Sequence, residues 1–209
     1  MTTMTTLKFA DLDEKAKARA RDKARDWNVE HDWWDYTYED VIECGKLLGI
    51  EIKNHQSTLR RALFFQLSYS QGDGACFAGS YVPVPDPIKA ITKRAPKDEV
   101  LLSIAKGLTV LQLTSRLAGG ADIEANIKTI GNDCHSSSMV IDSINFVGGV
   151  SGEEPCPNVS LTNELVNLMR RFADWIFARL RDEYEYLTSD ECIDEALAHH
   201  EFDEDGSMI

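Results

Sequence analysis

The last 28 residues, Asp182 to Ile209, contain no lysine and no arginine. That absence leaves eleven acids without a local counter-charge: Asp182, Glu183, Glu185, Asp190, Glu191, Asp194, Glu195, Glu201, Asp203, Glu204 and Asp205. Other absences narrow the function classes. The five cysteines (Cys44, Cys76, Cys134, Cys156, Cys192) form no CxxC pair and are odd in number, which predicts reduced thiols in a cytoplasm. No stretch approaches the about 18 apolar residues of a membrane span. The first residues lack a basic region followed by an apolar one, so no secretory signal is expected. The Ser70–Cys76 stretch lacks the Gly-Lys-Ser/Thr ending of a phosphate-binding loop. No serine carries the context of a nucleophile elbow.

Metal chemistry is equally thin. Cys134 and His135 are adjacent, and neighbours in a strand point to opposite faces. Structural zinc sites take closely spaced ligand pairs, and Cys76 or Cys156 would have to arrive from elsewhere. Asp203-Glu-Asp-Gly resembles the start of a calcium loop, but the chain ends three residues after Gly206. No metal, no cofactor and no catalytic constellation are expected.

What is present is segregated charge. The net charge is −13, of which the last 28 residues hold −11. Asp26 to Glu51 adds eight acids against Lys46, or −7, leaving +5 for the remainder. One basic cluster, Lys15, Lys17, Arg19, Arg21, Lys23 and Arg25, occupies an alanine-rich stretch. It suits a solvated helix face that balances nearby acids, or a contact for an acidic partner. The acidic balance argues against direct binding to a nucleic-acid backbone, which needs clustered cations.

Periodicity predicts the elements. A first helix runs from Leu12 to Asn28, capped by Asp11 or Asp13. A second runs from Thr37 to a Gly49 stop. Between them, Trp33 and Trp34 cannot both point into one core. Short strands follow at Ile50–Lys53, Leu63–Ser70 and Ala75–Val82, the last two joined through Ser70-Gln-Gly-Asp-Gly. Pro83, Pro85 and Pro87 mark a hinge. Helices are expected at Lys89–Arg94 and Lys97–Leu117, and a hairpin of Ile123–Ile130 with Met139–Val147. A long amphipathic helix spans Asn163–Leu187, with an apolar face wide enough to need burial against a sheet or a second copy. A capped helix from Ser189 to about His199 precedes a tail. The grouped order of helices and strands predicts one α+β domain over residues 1–209, with an antiparallel sheet of about five strands.

Two sites compete. In the first, Gly72 and Gly74 let a backbone approach a ligand, with Asp73 as base and Cys76 as nucleophile beside His55 or His135. The bland alternative is a tight hairpin. The second is acidic. Eleven charges on 28 helical residues, about 42 Å, give one per roughly 4 Å, close to the roughly 3.4 Å phosphate spacing of a DNA strand. Such a surface suits a basic nucleic-acid-binding groove. Its contact residues would be Glu183, Glu185, Asp190, Glu191, Asp194, Glu195, Glu201 and Asp203, with Asp32, Asp35, Glu39 and Asp40 from the earlier stretch.

Several blocks carry a family likeness: Leu12-Asp-Glu-Lys-Ala, Asp32-Trp-Trp-Asp-Tyr-Thr-Tyr-Glu-Asp, Gly45-Lys-Leu-Leu-Gly-Ile-Glu-Ile, Ser70-Gln-Gly-Asp-Gly-Ala-Cys-Phe-Ala-Gly-Ser-Tyr, and Trp175-Ile-Phe-Ala-Arg-Leu-Arg-Asp-Glu-Tyr-Glu-Tyr-Leu-Thr-Ser-Asp-Glu. Together they resemble a family of phage and mobile-element proteins commonly labelled as an antitoxin of a toxin–antitoxin stability system. Residues 54–63 look longer than in that family, and residues 119–160 match poorly. The resemblance implies an accessory, host-facing role and no catalytic residues. The expectation is therefore an acidic binding protein in the host cytoplasm. It would block a basic surface on a defence complex or a toxin, with anti-CRISPR-like, antirestriction-like or antitoxin-like action.

Overall fold

The structure is a computed structural model and describes residues 6–53, 62–119, 121–131, 134–148 and 159–209. The chain divides into a terminal unit, Met1–Thr37 with Leu180–Ile209, and a central unit, Tyr38–Arg179. The proline segment from Pro83 to Pro87 lies inside the central unit.

The terminal unit brings both ends of the chain together. Strand β1 (Leu7–Lys8) leads through a 3-10 turn (Phe9–Asp11) into α1 (Glu14–Asn28). Asp13 caps α1 by accepting from the Ala16 N–H at 2.7 Å, one of the two caps the sequence offered. Ala16, Ala20 and Ala24 make a narrow buried stripe. They share a core with Phe9, Leu12, Ile193, Leu197 and Phe202. Helix α6 (Asp190–Leu197), capped by Ser189, supplies Ile193 and Leu197. The residues after it are not a free tail. Glu201–Phe202 form β8, antiparallel to β1, and Phe202 is buried. The chain then turns back, Asp203 N–H donating to Ser207 O and Ile209 N–H to Glu201 O. Gly206 has φ +85°, and a Cβ there would lie 2.3 Å from Ala16 O. Only glycine fits where the turn meets α1.

The central unit contains most of α2 (Asp35–Leu48), followed by β2 (Ile50–Ile52), β3 (Leu63–Gln66), β4 (Gly74–Phe77) and β5 (Gly79–Tyr81). Gly49 closes α2 at φ +81°. Next come α3 (Pro87–Arg94), α4 (Glu99–Gly119), β6 (Asp122–Thr129), β7 (Met139–Val147) and most of α5 (Val159–Leu187). The architecture is α+β with antiparallel sheets, as expected. The largest sheet has four strands, in the order β2-β5-β6-β7, not five. The difference lies at residues 75–82, which read as one strand. They divide at Ala78, so that β4 pairs with β3 in a separate ribbon while β5 enters the main sheet. Ala78 N–H donates to Ala62 O, and Ala78 O accepts from Lys53 N–H, which holds the crossover between ribbon and sheet.

Strand β6 alternates as its sequence predicts, with Ile123, Ala125 and Ile127 buried. Helix α4 buries Leu101, Ile104, Ala105, Leu108 and Leu111. Against the expectation that no stretch approaches a membrane span, its segment Glu99–Ala118 is long and apolar enough to cross one by length and composition, with mean hydropathy 1.2; Lys106, Gln112 and Arg116 interrupt it, so no unbroken apolar run shows it. Gln112 on α4 is buried and holds β6: its amide donates to Ile123 O and accepts from Ile123 N–H, both at 2.9 Å. Extending the β5–β6 register past Tyr81–Ala125 would place Pro83 opposite Ile123. Proline has no N–H to offer there. The Gln112 side chain supplies the missing pairing, and also donates to the Tyr81 hydroxyl at 3.1 Å. On α5, Leu165, Leu168, Met169, Phe172 and Ile176 form the buried face read from their spacing.

Candidate functional site

The acids of the terminal unit sort into two groups. One group is bound to α1. Arg21 holds Asp194 with two parallel hydrogen bonds, Nε to Oδ1 at 2.6 Å and Nη2 to Oδ2 at 2.7 Å. This bonding, opposed by partial desolvation, keeps the Asp194 carboxyl below the usual aspartate range and raises the Arg21 guanidinium. Arg25 pairs with Asp190 and Asp22, and its Nε donates to Thr188 O at 3.1 Å. Lys8 pairs with Glu201 at 3.2 Å, and Arg19 with Asp205 at 3.5 Å. Asp203 Oδ1 accepts from the Asp205 and Ser207 N–H groups and shapes the final turn. Four side chains of the basic cluster thus hold the C-terminal segment: Arg19, Arg21, Arg25, and Lys23, whose Nζ donates to Ser207 Oγ at 3.4 Å.

The other group faces outward. Glu191 and Glu195 lie one turn apart on α6, exposed and without an ion pair among the described residues. Glu204 and Asp182 are exposed in the same way, and Glu183 is half-buried. Glu185 pairs with Arg181 at 3.8 Å. Asp32 and Asp35 are exposed, Asp35 N–H donating to Asp32 O at 3.2 Å. Trp33 is buried against Trp34 and Tyr184, with ring centroids 5.7 and 5.5 Å apart, while Trp34 is only half-buried. The two tryptophans do take different environments.

The terminal unit has 67 residues with eight lysines and arginines against nineteen aspartates and glutamates, a net of −11. The central unit has fourteen against sixteen, a net of −2. Two of the named acids, Glu39 and Asp40, belong to that second unit. Glu39 is exposed, and Asp40 pairs with Arg94 on α3.

The competing turn joins β3 to β4. Asp73 accepts from Ser68 N–H at 3.0 Å on both oxygens, from Ser68 Oγ at 2.8 Å, and from Ser70 N–H and Oγ at 3.2 Å. Desolvation pushes its carboxyl up, but these donors outweigh it and leave the pKa lowered. A depressed carboxylate saturated with donors is a loop staple and a poor base. Cys76 is buried at 2% exposure within β4. Gly74 packs on His135, where a Cβ would lie 2.9 Å from the ring. That ring accepts the Ser137 N–H at Nδ1, 3.0 Å away, and caps the 3-10 turn Ser136–Ser138. Gly72 is exposed in the loop, and His55 lies outside the described residues. Among the described residues no group of three metal-ligating side chains occurs.

Residues 33–190 match the model of a family described as Domain of unknown function (DUF8835). The chain belongs to that family. The DUF8835 match spans the whole central unit and stops at the first residue of α6. Glu191, Asp194, Glu195, Glu201 and Asp203 therefore lie beyond it, as does all of α1. No curated protein and no solved structure matches the chain.

The clamp on α1 was the part that sequence reasoning missed. A signal was available: Arg21 and Arg25 are four residues apart, as are Asp190 and Asp194, so each pair lies on one helix face.

Proposed function

We propose that this protein is a phage-type accessory factor that works by binding in the host cytoplasm. Its terminal unit acts as an acidic inhibitor that occludes a basic, nucleic-acid-binding surface on a host defence complex or toxin. This reading rests on the concentration of −11 in 67 residues, in which Arg19, Arg21 and Arg25 are already paired with acids of the same unit. Helix α6 is held through Asp190 and Asp194 and presents Glu191 and Glu195 on the adjoining, exposed face. Acids on a fixed helix keep their spacing, which a charge mimic of a phosphate backbone requires. The family likeness to phage and mobile-element proteins supplies the host-facing context.

The test uses the full chain as bait for host lysate at low and high salt, beside a Glu191→Lys/Glu195→Lys/Glu204→Lys variant. The expected partner binds wild type, is lost from the variant, and releases its nucleic acid when wild type is added. A partner that binds both proteins equally, or that keeps its nucleic acid, would falsify this reading.

A further inference from the structure

The central unit carries a concave surface of its own. A groove of about 420 Å³ is bounded by α2, the α3–α4 corner and α5. Its volume falls in the roughly 300–1,000 Å³ range of small-molecule pockets. Cys44, Leu101 and Trp175 line it and are nearly inaccessible. Trp175 is fixed on two sides: its ring stacks on Phe172 at 5.5 Å and 11°, and its indole N–H donates to Asp98 at 2.8 Å.

The acids of this groove are already engaged. Asp40 is paired to Arg94, and Asp98 takes the indole and caps α4 through the Leu101 N–H at 2.9 Å. Two cations are not. Lys97 and Arg179 line the groove, are exposed, and make no ion pair or hydrogen bond among the described residues. For Arg179 this is distinctive. The other described arginines (Arg19, Arg21, Arg25, Arg94, Arg116, Arg170, Arg171 and Arg181) all have a partner.

We propose that this groove is a binding site for a small organic oxyanion, a phosphate or carboxylate on an aromatic or aliphatic body. The guanidinium fork of Arg179 matches the paired oxygens of such a group, and Lys97 adds a point charge. The apolar body would lie against Ala95 and Pro96, apolar residues of the lining that keep accessible surface, close to Trp175. Both oxyanions share this chemistry, and the probes separate them.

The experiment titrates the full chain with phenyl phosphate, benzoate, neutral benzamide and inorganic phosphate, followed by calorimetry and by the four tryptophan indole N–H signals. The expected result is binding of phenyl phosphate or benzoate with movement of the Trp175 indole signal and not those of Trp27, Trp33 and Trp34. Benzamide and inorganic phosphate should bind at least about tenfold more weakly, and Arg179→Ala and Lys97→Ala should each weaken the anion by about tenfold. Both side chains are exposed, so neither change threatens the fold. The proposal is overturned if neither aromatic anion binds, if benzamide binds as well as the anions, or if either Arg179→Ala or Lys97→Ala binds the anion unchanged. None of these outcomes bears on the acidic terminal unit.

Discussion

Arg21 on α1 and Asp194 on α6 meet in a two-pronged ion pair of 2.6 and 2.7 Å, 173 residues apart in sequence. The pair joins the basic cluster near one end of the chain to the acidic segment near the other. Part of the acid load is thereby paired within the terminal unit. Because both side chains are partly exposed, solvent screening limits the pair's worth. A double-mutant cycle of Arg21→Met and Asp194→Ala should give a coupling of about 1 kcal/mol by urea unfolding. The pH dependence has a definite sign. Asp194 is depressed in the folded state, so its contribution is present above the ordinary aspartate pKa of about 3.9. It is lost as pH falls through the folded value. The stability gap between wild type and Asp194→Asn should therefore be flat from pH 7 to 5 and close in stronger acid. A gap that persists at the lowest pH would mean that packing, not charge, sets the effect.

Charge reversal should separate two groups of acids that sequence alone treats as one. Glu191→Lys with Glu195→Lys touches no ion pair; Glu191 lies in the first turn of α6, where a cation opposes the helix dipole, so the cost should be about 1 kcal/mol and the fold should melt within a few degrees of wild type. Asp194→Lys with Glu201→Lys sets like charges against Arg21 and Lys8. That variant should melt clearly lower and lose protection at β1 and β8. Calorimetry of the two double variants, side by side, checks the contrast. Equal losses would show that α6 is not held by the clamp.

How far the fold was legible follows from the same contrast. Helical periods were readable because burial repeats locally: α1, α4, α5 and α6 lie within a few residues of their expected bounds. Met139–Val147 and the β6–β7 pairing were readable because alternation and turn signals agree. The break at Ala78 was harder to read: Gly79-Ser80 interrupts an otherwise apolar run and is the local sign of it, but periodicity alone does not tell one long strand from two short ones in different sheets. The C-terminal strand was hidden for a related reason. Phe202 is a single buried ring in an acidic run, and its burial depends on Phe9, 5.9 Å away, and on the α1 alanine stripe. The alternative site failed on a detail that needs coordinates. Asp73 looked available because its neighbours are small and polar, and those same serines engage it.

The Asp73 staple makes a prediction of its own. Ser68 and Ser70 amide protons should exchange slowly for loop positions, and Asp73→Ala should remove that protection. Their amide shifts should titrate with the Asp73 carboxyl, with a midpoint below the ordinary aspartate range because the donors favour the charged form. Loop order is thus present at neutral pH and lost as pH falls through that lowered value. An ordinary midpoint, or protection that survives Asp73→Ala, would remove Asp73 from this role.

Gln112 is the sharper test of the central unit, because one buried amide serves three partners. Its NH2 donates to Tyr81 OH and Ile123 O, and its Oε1 accepts the Ile123 N–H. Burial pushes the Tyr81 hydroxyl up to about 12, so it stays protonated across the working range and depends on hydrogen bonding for its place in the core. Gln112→Leu conserves volume and removes all three bonds, leaving buried polar groups without partners. The expected cost is about 3 kcal/mol. Gln112→Glu discriminates further. An ionised carboxylate cannot donate to Ile123 O and is itself buried, so its folded pKa should rise. When protonated, the same group offers one donor and one acceptor and recovers part of the pairing. Stability of this variant should then fall as pH rises from 5 to 8, the direction required of an acid whose folded pKa lies above its unfolded value. Urea unfolding at the two pH values reads the difference directly. A pH-independent deficit would mean that water has entered beside β6 and that Gln112 does not stand in for the strand pairing that Pro83 cannot make.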